Sequence, residues 1–497
     1  MQVNETNKTA DNANNKEQSK WWLLPTLLGA VSFGALLGGG IAYSSQNSAS
    51  VSDATRDNTL KQLDIFADVL ARVTTDYVVP PDQNKLIEAS INGMLQSLDP
   101  HSSFMTAKDW KDMQQSTKGE YGGLGLEVTS EAGAVKVIAP MAGSPGERAG
   151  IVAGDRIIAI DGVNIVGSTL SESVDKMKGK PNTTVEITVV HEGQDPKQIK
   201  ITREIIKLHP VTHKIEGNIG YVRLSTFVNE NAAKELADAL TDIQKQLGGN
   251  LKGIVLDLRN NGGGLLEQAV AVSDLFMDRG EVVSTRGRRP EDIDRFYGTP
   301  GQMMAGVPLV ILTNEGTASA SEIVAGALQD RKRAVIFGTT SFGKGSVQTV
   351  IPLNYGKDGA LRLTTQRYYT PAGRSIQGAG IVPDVEVSNF RLTNEDIERR
   401  KLEFRFEEDL PNALNNDSGA KRAIPHMPND MPPENWDKKE DYVLKRAYEY
   451  INAGMPKDFG KTQMANKEAP KNAPKPNEKK VGTSVPVTFD KPKDKKQ

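Results

Sequence analysis

Three short segments of this 497-residue chain carry residue types that can do chemistry together. The first runs Asn314-Glu-Gly-Thr-Ala-Ser-Ala-Ser321, after an apolar strand pattern (Pro308 to Thr313) and into a helical one (Ser319 to Gln329). Ser319 therefore falls at a helix start, where unpaired backbone N–H groups lie beside the hydroxyl and can stabilise an oxyanion. The same residues, Ser319-Ala-Ser-Glu322, also spell a capping box, which explains them without any reaction. The second segment, Gly338-Thr-Thr-Ser-Phe-Gly343-Lys344-Gly345, holds a lysine between glycines. It nearly spells a phosphate-binding loop, but Gly345 stands where a magnesium-binding hydroxyl is required. The SVQTVIPL that follows is β-branched and alternating, whereas a phosphate loop opens a helix. Confinement by glycines suits another use, because a desolvated lysine gives up its proton more readily and can take one from a serine near neutral pH. The third segment, Arg259-Asn-Asn-Gly-Gly-Gly264, ends a buried strand pattern. Its glycines can turn N–H groups towards a carbonyl oxygen or form only a mobile turn.

Composition narrows the chemistry. There is no cysteine, which excludes disulfides, thiolate zinc sites and a cysteine nucleophile. The five histidines, His101, His191, His209, His213 and His426, never form the helical pair of an H-E-x-x-H metalloprotease, so no metal and no cofactor is expected. The tail 461–497 holds ten Lys against four acids, so a chain of net charge −2 has a body near −8, which argues against nucleic acid.

The elements that must position these segments follow from apolar periodicity. Residues 1–20 are polar, and 21–43 form an uncharged stretch flanked by Trp21, Trp22 and Tyr43. A helix of that length crosses a ~30 Å hydrocarbon core. Lys8, Lys16 and Lys20 precede it and no Lys or Arg follows until Arg56, which puts the N-terminus in the cytoplasm and the body outside. A cleaved signal peptide is the alternative, although the run exceeds a usual apolar signal core. Leu63, Phe66, Leu70, Val73 and Tyr77, then Ile87, Ile91, Met94 and Leu98, predict two amphipathic helices around Pro80-Pro81. Short β-branched runs fill 121–202. Strand and helix patterns alternate over 206–390, as in a layered α/β core. Twelve of the twenty residues from Arg391 to Leu410 are charged, which predicts a solvated helix or linker, and the Lys/Pro-rich tail from 461 is expected to be disordered.

Together these stretches resemble the C-terminal processing, or tail-specific, serine proteases. The resemblance is carried by LDPHSSF (Leu98 to Phe104), YGGLGLEV (Tyr121 to Val128), AGIVAGDRIIAIDG (Ala149 to Gly162) and DLRNNGGG (Asp257 to Gly264). It continues through GTASASEIVAGALQD (Gly316 to Asp330), FGKGSVQ (Phe342 to Gln348) and RYYTPAGRSIQGAGIVPD (Arg367 to Asp384), in unbroken order. It implies an α/β multidomain chain: a transmembrane anchor or signal at 21–43, a helical N-terminal domain at 55–115 and a PDZ domain at 116–205. A layered α/β core of the ClpP/crotonase-like kind at 206–390, a C-terminal helical extension at 391–460 and the disordered tail complete it.

The resemblance also implies roles. Ser319 is the nucleophile and Ser321 a decoy; Lys344, 25 positions on, is the general base, oriented by Gln348. Gly263 and the N–H of Ala320 form the oxyanion hole, with the donating glycine of 262–264 left open. Glu322 and Asp330 match polar positions that capping and helix termination explain equally well, so both stay outside the catalytic set. The N–H groups of Gly123, Leu124, Gly125 and Leu126 are expected to capture a terminal carboxylate, and the next strand to pair with the peptide. The implied activity is a Ser-Lys endopeptidase that cleaves or degrades envelope proteins recognised by their tails. Peptidoglycan hydrolases as substrates, a helical-repeat adaptor and a homo-oligomer are family expectations. The implied location is a bacterial inner membrane, single-pass, with the catalytic part in the periplasm, or a soluble periplasmic form after signal cleavage. A catalytically silent PDZ scaffold is the alternative.

Overall fold

The run Gly253-Ile-Val-Leu-Asp257 is apolar without alternation because its strand is covered on both faces. In the computed structural model, which describes residues 53–456 apart from 132, 192, 404–405 and 423–425, it lies inside a six-stranded sheet. The order is Val211–Glu216, Ile219–Leu224, Gly253–Asp257, Leu309–Thr313, Val335–Gly338, Val385–Glu386, parallel from the second strand onward. Ile254, Leu256, Leu309 and Ile311 face helices Ala232–Leu247, Leu266–Asp274 and Ala320–Asp330. Val255, Val310, Leu312 and Phe337 face helix Tyr442–Asn452. The C-terminal extension thus supplies the second layer of the core. The turn segments around Ser319 and Arg259 sit at the C-terminal ends of adjacent parallel strands, where open α/β sheets place their ligands.

A second, five-stranded sheet contains strand Ser346–Pro352, which follows the lysine, paired with Ala360–Tyr369. Its far edge is Ser103–Met105, so a piece of the region read as a helical N-terminal domain joins the core. Helices Asp53–Asp76 and Gln83–Gln96 are where the apolar periodicity puts them, with Leu63, Phe66 and Val73 exposed. Between these parts, strands Leu126–Glu131, Ala134–Pro140, Arg156–Ile160, Thr184–Val190 and Lys197–Thr202 make a separate small sheet, with the short strand Val163–Asn164 pairing onto Arg156–Ile160. Val137, Ile157, Val185 and Ile187 fill its own core. The stretches 1–20, 21–43 and 461–497 lie outside the described residues; among those described, no helix is long and apolar enough to cross a membrane.

Candidate active site

Ser319 is the residue before helix Ala320–Asp330 and has φ 57°, ψ −116°, a backbone conformation that costs a non-glycine residue about 1 to 3 kcal/mol. Neighbouring groups hold it there. Glu322 Oε2 accepts the Ser319 N–H at 2.8 Å, and the Ser319 carbonyl accepts the Glu322 N–H at 2.8 Å. The Glu322 N–H is thus directed to the Ser319 carbonyl, and Glu322 closes the capping box through the Ser319 N–H. The hydroxyls nearby are committed. Ser321 Oγ donates to the Asn261 carbonyl at 2.8 Å, Thr317 Oγ1 to the Leu258 carbonyl at 2.9 Å and Ser341 Oγ to Glu322 Oε1 at 2.5 Å. The side chain at 319 is buried but keeps 8 % exposure, whereas Ser321 has none.

Glu322 also organises the lysine loop. Its Oε1 accepts the Gly343 N–H at 2.7 Å, and the Oε2 that holds Ser319 accepts the Lys344 N–H at 2.9 Å. One carboxylate oxygen thereby fixes the backbones of both residues. Complete burial pushes the Glu322 carboxyl up to about 7, against the donors from Ser341, Ser319, Gly343 and Lys344. Burial likewise holds the Lys344 amine below its ordinary range. Glu407 opposes this most strongly, Arg362 adds to it, and Glu322 and Asp99 oppose it. Among the described residues no hydrogen bond joins the Lys344 amine to the Ser319 hydroxyl.

Gly263, from the third segment, comes against Ser319: a Cβ there would lie 2.8 Å from the Ala318 O and Ala320 N and 2.9 Å from the Ser319 Cβ. Gly264 instead abuts Phe227 and Val228. The Gly263 N–H donates to Asn261 Oδ1 at 3.0 Å, while Ala320, first in its helix, lies among the N–H groups that a helix leaves without an intrahelical partner. Gln348 Nε2 donates to Ser346 Oγ at 2.9 Å and Thr364 Oγ1 at 3.2 Å, and no hydrogen bond among the described residues links it to Lys344.

Residues with no evident site chemistry in the sequence complete the arrangement. Asn261 is fully buried; its carbonyl accepts the Ala318 N–H at 3.0 Å and its Nδ2 donates to the Leu224 carbonyl at 2.8 Å. Arg259 bridges Asp257 and Asp441 through bidentate contacts of 2.6 to 2.9 Å, tying the strand end below the glycine turn to the cap of the last core helix. Arg422 donates to the Thr340 and Phe342 carbonyls at 3.1 Å each and to that of Ser341, just before the lysine. Asn261 stands inside a quoted motif and could have been singled out there; Arg422 carries no local sign of its role. The reading of 391–410 as solvated needs correction at Glu407, which is fully buried.

A model of peptidase family S41 matches residues 218–387, a PDZ domain model residues 136–190, and a model of the activating protease CtpB N-terminal domain residues 34–109. A carboxy-terminal-processing protease of Bartonella bacilliformis is 48% identical over 417 residues, covering 83% of this chain and 94% of the relative. The chain belongs to the C-terminal processing serine protease family. A probable CtpA-like serine protease of Staphylococcus aureus is 37% identical over 344 residues, 68% of each chain. Among solved structures, a photosystem II D1 C-terminal processing protease is 34% identical, covers 64% of this chain and 85% of its own, and has a TM-score of 0.39.

This protease therefore carries a PDZ domain, a module that binds peptide or protein C-termini. Gly123, Leu124, Gly125 and Leu126 line one cavity of about 60 Å³ with Tyr121, Val128, Val174, Met177 and Lys178. Among the described residues the N–H groups of Leu124 and Gly125 donate to no backbone carbonyl, whereas the Leu124 and Gly125 carbonyls accept from Gly146 and Met141 at 2.8 Å.

Proposed function

We propose that this C-terminal processing protease works through a Ser-Lys dyad. Ser319 Oγ attacks the scissile carbonyl carbon as its proton passes to the Lys344 amine. The resulting ammonium protonates the leaving amine, and an acyl-enzyme remains on Ser319. Water then attacks that ester, giving its proton to Lys344, which returns it to Ser319 as the acid leaves. The N–H of Ala320 faces the developing oxyanion. Gly263 joins it once its N–H is released from Asn261, and Gln348 orients the lysine after leaving Ser346. Closure of these last contacts accompanies substrate binding, since hydrogen bonds at a resting site often tighten only in the complex.

The observation that carries this reading is the sharing of Glu322 Oε2 by the Ser319 and Lys344 N–H groups at 2.8 and 2.9 Å. Ser319→Ala and Lys344→Ala are expected to abolish cleavage of casein or a tail peptide while the thermal unfolding of the full chain stays cooperative. Undiminished cleavage by both variants would sink the dyad.

We further propose that the apolar run 21–43 anchors the enzyme in a bacterial inner membrane with its catalytic part in the periplasm, where envelope proteins with accessible tails are the substrates. The span's length and the lysines before it support this reading. Fractionation of cells expressing the full chain, with protease accessibility from the periplasmic side, is the check. A cytoplasmic, soluble enzyme would overturn it.

A further inference from the structure

Glu407 comes from the densely charged segment after the core, yet none of its surface is exposed. Its carboxylate accepts the His101 Nε2–H on both oxygens, at 3.0 and 2.8 Å, and Gln377 Nε2 on Oε1 at 2.9 Å. Gln377 in turn accepts the Gly345 N–H at 3.0 Å, and the Glu407 N–H donates to the Phe342 carbonyl at 3.4 Å. The two attachments flank Lys344. A Cβ on Gly345 would lie 2.4 Å from the Gln377 N, so a glycine there is what lets the two backbones approach this closely.

A fully buried carboxylate is costly unless a charge or several donors compensate it. A glutamine there would keep only one of the two acceptor oxygens that these donors use, and would carry no charge. The carboxylate lies 2.8 Å from the His101 imidazole, and among the charged groups acting on Lys344 it has the largest effect. We infer that Glu407 is a positioning residue for Lys344, holding the loop on both sides of the lysine and, with its negative charge, favouring the ammonium that forms when the serine proton arrives. In this step the proton moves from Ser319 Oγ to Lys344 Nζ, and Glu407 neither gives nor takes one. His101 holds the carboxylate through both of its oxygens. The inference rests on the Ser319–Lys344 reading above and adds to it a group from the C-terminal extension.

The test uses the full chain and a tail peptide, with kcat and KM measured across the pH range for the parent, Glu407→Gln and Glu407→Asp. Lys344 faces Glu407, Glu322 and Asp99 as negative groups and Arg362 as a positive one, and Glu407 faces His101. Removing one negative charge makes the ammonium easier to deprotonate, so the acid limb of kcat moves to lower pH in Glu407→Gln. The plateau of kcat falls about tenfold while KM stays within about twofold. In Glu407→Asp, which keeps the charge but withdraws it by one methylene, the limb moves the same way by less. A purely structural role would lower kcat without moving the limb, so a limb unmoved in both variants overturns the inference. Glu407→Asp alone decides it if Glu407→Gln does not fold. Residual Glu407→Gln activity that is lost on adding Lys344→Ala keeps the dyad intact whatever the limb does, so the two failures are distinguishable.

Discussion

The two loops that meet at Glu322 are built differently. The nucleophile loop is held by its own strand-turn-helix unit and the turn of the next parallel strand: Asn261 takes the Ala318 N–H and the Ser321 hydroxyl, and Gly263 packs on Ser319. The lysine loop leans on distant chain: Gln377, then Glu407 and Arg422 from the C-terminal extension, with His101 behind them. In this protease the Ser319 turn is a property of the local fold and the Lys344 loop a property of the wider chain.

Substitutions that act on both loops, on one, or on the other should separate these two descriptions, and their effects on stability fall in a definite order. Glu322→Ala strikes both. It leaves the N–H groups of Ser319, Gly343 and Lys344 and the Ser341 hydroxyl without their acceptor in a buried place. At about 1 to 3 kcal/mol for each such group, with partial relaxation, a loss of about 3 kcal/mol or more is expected by urea unfolding, along with loss of cleavage. A stable, active variant would mean that neither loop depends on the carboxylate.

Gly263→Ala strikes the nucleophile side alone. Its φ of +95° disfavours any side chain, and the added carbon would press within 3 Å of Ala318 and Ala320. A stability loss of about 1 to 2 kcal/mol is expected from the strain. Cleavage should fall about a hundredfold in kcat, as when one oxyanion donor is lost. Unchanged kcat would remove Gly263 from the oxyanion site. Arg422→Ala strikes the base side alone. Burial pushes its guanidinium down to about 10 against the pull of Glu322 and Glu408, so removing it relieves a buried charge while freeing three carbonyls. These contributions oppose each other, and stability should change by no more than about 1 kcal/mol. Cleavage should nevertheless fall about tenfold, because the loop before Lys344 loses its clamp. A loss of stability without loss of kcat would show that the clamp serves folding only.

The difference between the loops also decides what was legible in the sequence. Strands such as Gly253–Asp257 and Leu309–Thr313 are readable because double-sided burial leaves a continuous apolar run, and Ser319 because strand, turn and helix follow one another locally. The lysine stands out by its glycines, but what surrounds it does not. Glu407 lies in a stretch whose charge density predicts solvent, and only the arrival of His101, 306 positions away, and Gln377, 30 positions away, buries it. Ser103–Met105 is similar, since a three-residue strand has no periodicity to detect until Ala360–Tyr369 supplies its partner. The glycine turn at 262–264 is intermediate. The glycine run is plain, but only the collision that a Cβ would make with Ala318 and Ala320 distinguishes Gly263 from Gly264.

The smallest expected change has the opposite sign and tests the base directly. Burial holds the Lys344 amine below its ordinary range in the folded chain, while in the unfolded chain it titrates near 10.5. Between those two values the unfolded state binds more protons than the folded one, so the contribution of Lys344 to stability improves as pH rises through that window. Below the folded value both states are charged and the full cost of burying the ammonium is present; above the unfolded value it is gone. Lys344→Met keeps the bulk of the side chain and removes the charge. It should therefore melt at a higher temperature than the parent near neutral pH, with the gap narrowing as the pH is raised towards 10.5. A gap of constant size would mean that the lysine is not desolvated in the fold, and a catalytic base at this position would then need another source for its neutral amine. A narrowing gap, together with abolished cleavage, would identify Lys344 as a group whose burial costs stability and supplies the proton acceptor.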